Sequence, residues 1–272
     1  MATYTERQQE SALREEIVRV CRLVWEKGLV AASDGNASVR LGRDRLLVTP
    51  CALSKGFLTV RDIVLTDLDG HPVRSVYPGQ VCHDPTSEIA LHLEVYRQRP
   101  DVRAVLHAHP PITTAFTIAG ISLAQCVLPE VVVNLGSIPT TAYATPSTVE
   151  GAHAIHELIC EHDALILDRH GTVTVGPTLF EAYLKLEKVE HLAAITLAAR
   201  QLGKVGMLPQ EEVRKLVAMR RQKLGLPAEY EGPGCVLCGA CGKEASPTGV
   251  LDEELARRVA GIVARELGKQ PS

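Results

Sequence analysis

Up to about Pro227 the sequence predicts one domain of mixed helices and strands around a sheet that is partly antiparallel. Three observations carry this expectation. Apolar residues recur at helical spacing near the start of the chain and again over a long stretch from residue 179. Between them lie short apolar runs bounded by Gly, Pro and Asp, which read as strands. Two of the junctions carry hairpin signals, and no segment repeats another.

The elements follow in order. From Glu6 to Lys27, Ile17, Val20, Cys21 and Val24 mark a helix that Gly28 stops. GLVAASDGNASVR reads as a loop of small polar residues leading into LLVTP, a strand. After the turn-rich CALSKG, FLTVRDIVLTDLDG reads as a short strand with a hairpin-like end at Asp69-Gly70. Pro85 opens a helix with Thr86 and Ser87 at its cap; it runs through Glu88 to about Gln98, where Pro100 ends it. VRAVLHAHPP is a strand terminated by two prolines, ITTAFTIAG a helix, and alternating segments continue through VVVNLGSIP to TTAYATPST. GAHAIHELICEH reads as a helix, ALILDRHG as a strand with TVTVG as its hairpin partner, and LFEAYLKLEKVEHLAAITLAARQLG as a long helix. Residues 228–249 form a linker rich in Gly, Pro and Cys, and residues 250–272 a final helix.

Bulk properties narrow the function classes. Of 272 residues, 46% are hydrophobic and 22% charged, ordinary values for a soluble globular protein. A net charge of -3 offers no general attraction for nucleic acid or an anionic membrane. A phosphate site needs no basic run, because backbone amides build one. No stretch reaches the roughly 20 apolar residues that cross a bilayer, and MATYTERQQESALREE is too polar and acidic for a signal peptide. Five of the eight cysteines are scattered, which fits free thiols in a reducing cytoplasm.

The candidate chemistry is in the middle of the chain. His107 and His109 are two apart on an expected strand, so both side chains leave one face of the sheet. That geometry suits a divalent transition metal, and it is equally what one core and one surface histidine would give. His170 ends another apolar strand before Gly171, as a structural residue or as a ligand. Glu88 either complements a helix dipole or serves as a fourth ligand and proton carrier beside three histidines. Ser33, Gly35 and Asn36 have the composition of a turn, and they could present donors to a phosphate, aided by the helix start at Thr86 and Ser87. His92, His153, His156 and His191 sit in helical segments and read as structural, with His92 one turn after Glu88 and within reach of it.

In this order the residues resemble the class II aldolase/adducin family, most closely its L-fuculose-1-phosphate aldolase type. The resemblance runs from GLVAASDGNASVR through VTPCALSKGFLTVRDIV and PTSEIALHLEVYRQRPDVRAVLHAHPP to IPTTAYATP and LILDRHGTVTVG, about residues 10 to 205. It implies a three-layer α/β/α sandwich around a largely antiparallel sheet, and a homotetramer with active sites between subunits. It also implies His107, His109 and His170 as zinc ligands, with Glu88 as the catalytic carboxylate that approaches the metal. Ser33, Gly35, Asn36, Thr86 and Ser87 match the family's phosphate cradle. The implied reaction is reversible cleavage of a small sugar 1-phosphate to dihydroxyacetone phosphate and an aldehyde such as lactaldehyde.

Two positions depart from the family pattern. Its proton-donor tyrosine falls near Leu128 here, and Tyr143 is the nearest tyrosine able to take its place. Thr49-Pro50 is followed by Cys51-Ala52 rather than Ser-Gly, which removes a freedom for positive φ, whereas Ser54-Lys55-Gly56 keeps a common family pattern. The same family contains sugar-phosphate 4-epimerases, which carry Asp in place of Glu88, a dehydratase, and adducin-like structural proteins without a metal site.

The tail adds two expectations. Cys235, Cys238 and Cys241 have the two-residue spacing of a metal or cluster site, one ligand short, and equally that of a reduced loop. Leu251, Leu255, Val259, Ile262, Val263 and Leu267 give the final helix an apolar stripe. It packs on the chain's own core or a neighbouring subunit, or it docks elsewhere, resembling the peptides that deliver enzymes to the shell proteins of bacterial microcompartments.

Overall fold

The computed structural model describes residues 4–74 and 77–226. The linker, Cys235, Cys238, Cys241 and the final helix expected at 250–272 lie outside the described residues.

Six strands form one sheet: β1 (Asn36–Leu41), β2 (Arg45–Val48), β3 (Val64–Asp67), β4 (Ala104–Ala108), β5 (Ala164–Leu167) and β6 (Gly171–Gly176). Their order is β3-β2-β1-β4-β6-β5, and every neighbouring pair is antiparallel. The expected hairpin between ALILDRHG and TVTVG is present as β5–β6, with Leu167 opposite Gly171. The turn at Asp69-Gly70 is present too, held by the Asp67 carboxylate, which accepts from the amides of Asp69 and His71.

Helices cover both faces. On one, α1 (Tyr4–Glu26) and α7 (Leu179–Leu202) pack on the sheet. Ile17, Val20 and Val24 of α1 and Leu179, Ala182 and Leu186 of α7 meet Ala37, Val39, Leu41, Leu106 and Ala108. On the other face, α2 (Ile89–Gln98), α5 (Val149–His153) and α6 (His156–Ile159) cover Leu46, Val48, Val105, Val173 and Val175. Strand alternation therefore produces two cores and the expected α/β/α sandwich. At the β5 end, α3 (Pro111–Ile118) packs against α7, while α4 (Pro129–Asn134) pairs with α8 (Gln210–Leu224). No described helix is long and apolar enough to cross a membrane.

Four local readings need correction. NASVRL, expected within a loop, is β1 at the centre of the sheet. α8 has no counterpart in the expected elements. GAHAIHELICEH is two short helices: fully buried Ile155 sits at the break, and His156 turns onto Glu94. Finally, α2 starts at Ile89, so the cap position is Glu88 rather than Thr86 and Ser87, and it makes no side-chain capping bond. The hydroxyl of Thr86 instead accepts from the Glu88 amide at 3.3 Å, which bends the chain just ahead of the helix.

Candidate metal centre

β4 holds His107 near its end and carries His109 just past it, both on the same side as Val105, toward the α2 layer. The β5–β6 turn brings His170 beside them, and the residue before α2 brings Glu88. The three imidazole rings lie 4.7 to 4.8 Å apart between centroids. Nε2 of His107 is 2.9 Å from Nε2 of His109 and 3.2 Å from Oε2 of Glu88, and Nε2 of His170 is 3.4 Å from Oε1 of Glu88.

These distances test the fit of a cation. Ligand atoms each about 2.1 Å from a common tetrahedral metal lie roughly 3.4 Å from one another. One donor from each of the four residues falls within 4.8 Å of all the others, and the contacts of 2.9 to 3.4 Å come close to the tetrahedral separation. The cluster therefore fits a divalent cation.

Two neighbours set the imidazole tautomers. Nδ1 of His107 donates to the Thr172 carbonyl at 3.1 Å, so its Nε2 keeps a lone pair for the centre. Nδ1 of His109 faces the Asp34 carboxylate at 3.4 Å and leaves Nε2 free in the same way. Burial, reinforced by the neighbouring His107, lowers His109 and His170 to about 4, so both are neutral near pH 7, as metal ligation requires. Burial alone would raise the Glu88 carboxyl; His107, the Asn36 amide and His170 outweigh it and hold Glu88 well below the usual carboxylate range.

Two glycines permit this convergence. A Cβ on Gly171 would overlap the Ala108 carbonyl and Cδ2 of His109, so only glycine lets the His170 turn close on β4. Gly35 has φ 73°, and a Cβ there would stand 3.0 Å from the His107 carbonyl. Ala52, where the family pattern has glycine, still adopts φ 58°. The turn geometry is retained at a cost of about 1 to 2 kcal/mol. Lys55, buried by its neighbours, donates to the carbonyls of Ser33 and Leu53 at 2.8 and 2.6 Å. It ties together the two loops that flank the site.

The expected phosphate residues do not share one state. Ser33 and Ser87 are exposed on loops beside the centre, whereas Gly35, Asn36 and Thr86 are buried. Asn36 has both ends of its side chain engaged: Nδ2 donates to Oε2 of Glu88 at 2.8 Å, and Oδ1 meets Nε2 of His92. A pocket opens from Glu88 and His170 past Thr141, Ala142, Ala144 and Ser147. Ala142 and Ala144 line it; Tyr143 between them is exposed and does not. Leu128, near which the resemblance puts the family's tyrosine, precedes α4 and packs in an apolar cluster with Phe116 and Val131. His153 and His156 lie outside the centre; His156 bonds Glu94 and Gln98. Asp34, Thr172 and the contact of His92 with Asn36 were not anticipated, although Asp34 sits within the singled-out loop.

A three-histidine, one-carboxylate centre at the end of an antiparallel sheet, enclosed in an α/β/α sandwich, defines a metal-dependent enzyme class. Comparison with known proteins makes it particular. The chain matches the Class II Aldolase and Adducin N-terminal domain over residues 15–197 and belongs to that family. It is 36% identical over 182 residues to an L-fuculose phosphate aldolase of Methanococcus vannielii, covering 66% of this chain and 93% of the relative. It is 30% identical over 190 residues to a 3-oxo-tetronate 4-phosphate decarboxylase of Escherichia coli, covering 68% and 86%. An l-fuculose-1-phosphate aldolase structure from Thermus thermophilus superposes with a TM-score of 0.62 at 29% identity, covering 72% of this chain and 98% of that one. With its four donors together, the chain is a metal-dependent lyase.

Proposed function

We propose that the protein cleaves a small sugar 1-phosphate, of the L-fuculose 1-phosphate type, to dihydroxyacetone phosphate and an aldehyde such as lactaldehyde. The observation that carries this reading is the convergence of His107, His109, His170 and Glu88 beside a pocket and two small-residue loops. Among relatives, the fuculose phosphate aldolase of Methanococcus vannielii supports it.

His107, His109 and His170 are the proposed ligands of one zinc ion per chain, with Glu88 as fourth donor. When bound, the cation supplies Lewis-acid polarisation of the ketone and adjacent hydroxyl and offsets the negative charge left as the C3–C4 bond breaks. The chain's own residues do the rest. Ser33, Gly35, Thr86 and Ser87 hold the phosphate, with the main chain of Asn36 at the start of β1 beside them, its side chain being engaged by Glu88 and His92. Cleavage removes a proton from the C4 hydroxyl and adds one at C3 of the ketone fragment. Glu88 delivers the second of these. Tyr143 of a neighbouring copy handles the first, since within its own chain only the flanking alanines line the pocket. This arrangement requires an oligomer, and the proposed one is a homotetramer. A cytoplasmic enzyme is the simplest setting, and delivery to microcompartment shell proteins through residues 250–272 belongs to the same proposal.

Leu128 favours one second reading, decarboxylation of a 3-oxo acid phosphate. That reaction leaves a similar negative charge on the ketone fragment but releases carbon dioxide, so no C4 hydroxyl has to give up a proton and no tyrosine is needed to take it. Assays of the zinc-loaded protein for dihydroxyacetone phosphate from L-fuculose 1-phosphate and for carbon dioxide from 3-oxo-tetronate 4-phosphate separate the two. The first product alone is expected. The second alone would move the assignment to decarboxylase, and neither would turn it to the epimerase or dehydratase members of the family.

A further inference from the structure

Behind Glu88 the structure holds an unbroken line of buried polar side chains. Asn36 and Ser38 are two apart on β1 and share a face, while His92 and Tyr96 are four apart on α2, one turn and two turns beyond Glu88. The two periodicities meet where α2 crosses β1. Asn36 donates to Glu88 through Nδ2 at 2.8 Å and meets Nε2 of His92 through Oδ1. Nδ1 of His92 lies 2.6 Å from the Ser38 hydroxyl, and that hydroxyl lies 2.9 Å from the hydroxyl of Tyr96. Asn36 is 4% exposed, Ser38 and His92 0%, and Tyr96 5%, so water does not compete for these bonds.

Only one pattern of donors satisfies the whole line. An ionised Glu88 accepts and never donates, so it takes the Asn36 NH₂, and Oδ1 of Asn36 must then accept. His92 therefore carries its hydrogen on Nε2, and its Nδ1 accepts from Ser38. Burial holds His92 far below its ordinary range, at about 3, so the ring stays neutral and keeps one acceptor. The Ser38 oxygen in turn accepts from Tyr96, whose ring lies under the Arg40 guanidinium at 4.4 Å. Turning the Asn36 amide over would set an oxygen against the carboxylate and an NH₂ against the Nε2–H.

We propose that His92 is a positioning residue: its Nε2–H fixes the Asn36 amide, and Asn36 holds the Glu88 carboxylate in its working orientation. On this account the Asn36 side chain serves Glu88 and not the substrate phosphate. The inference rests on the reading of Glu88 as the acting carboxylate, but its first test does not.

That test is the tautomer of His92, read from long-range ¹H–¹⁵N correlations of the zinc-loaded protein between pH 6 and 8. A neutral ring protonated at Nε2 is expected throughout. An Nδ1–H or charged ring would overturn the proposal whatever the protein's substrate. The second test compares His92→Gln, which keeps an amide NH near the place of Nε2, with His92→Leu, which has none. In His92→Leu, kcat falls on the order of 10- to 100-fold, with KM and zinc content unchanged, and His92→Gln recovers most of the loss. If the residue merely held β1 to α2, both variants would lose thermal stability while the folded enzyme kept its kcat, and the proposal would fail. Asn36→Ala provides the third test: kcat falls while inhibition by inorganic phosphate is unchanged. Weaker phosphate inhibition at full kcat would return Asn36 to the phosphate cradle. An inactive wild type with the Nε2–H tautomer would sink the aldolase reading and leave the hydrogen-bond line standing.

Discussion

At the residue scale, the centre is defined as much by what orients the ligands as by the ligands. The HxH pair was legible because two positions on a strand share a face, and Glu88 and His170 were legible by family resemblance. Asp34 and Thr172 were not, because a carboxylate in an exposed loop and a backbone carbonyl leave no mark in the sequence. Asp34→Asn should lower zinc affinity by about 10- to 100-fold while leaving the fold intact, as a chelator competition would read. Unchanged affinity would show that the 3.4 Å contact with His109 does not tune the ligand. Gly171→Ala should be far more damaging, because the added methyl meets the Ala108 carbonyl and the His109 ring. Loss of about 1 to 3 kcal/mol of stability together with weakened metal binding is expected, from denaturant titration and metal analysis.

At the element scale, the most instructive case is β1. Ala37, Val39 and Leu41 alternate with Asn36, Ser38 and Arg40, the period of a half-exposed strand, yet NASVRL reads as loop because its polar members are small and turn-like. Asn36 and Ser38 are buried because they serve the line to His92, and half-buried Arg40 reaches the carbonyls of Tyr96 and Val102. Function thus obscured the strand's pattern. The short α4, with its apolar PEVVV, was hidden differently, since a six-residue run is ambiguous between helix and strand.

The same scale accounts for acid stability. Asp163, just before β5, accepts from Arg99 at the end of α2 and from Lys185 of α7, at 3.1 and 2.8 Å, joining the layers through one carboxylate. Burial would raise its pKa, but Lys185 and Arg99 prevail and lower it below the ordinary value of 3.8. A carboxylate depressed in the folded state adds stability above its unfolded pKa, and that stability is lost as pH falls through the folded pKa. Asp163→Asn should therefore be less stable than wild type at pH 7, by about 1.5 to 3 kcal/mol. The gap should narrow as pH falls below about 3.9. Urea melts across that range would show it, and a constant gap would mean that the charge contributes nothing.

At the scale of the whole molecule, the antiparallel sheet and its two helical layers place four donors from three separate chain segments at one end of the sandwich. Hairpin signals and the long terminal helices made the fold class legible, while the inserted helices at the β5 end followed no strong period. The central claim is that these four donors hold a cation that drives carbon–carbon cleavage. Its most direct test is zinc content measured together with dihydroxyacetone phosphate release from L-fuculose 1-phosphate, for wild type, His107→Ala and Glu88→Gln. The account predicts about one zinc per wild-type chain and cleavage that stops with loss of metal in His107→Ala. In Glu88→Gln it predicts metal largely kept and a fall in kcat of about 10² to 10⁴. A wild-type protein that binds no metal after zinc is supplied, or a Glu88→Gln variant that cleaves at the wild-type rate, would contradict it.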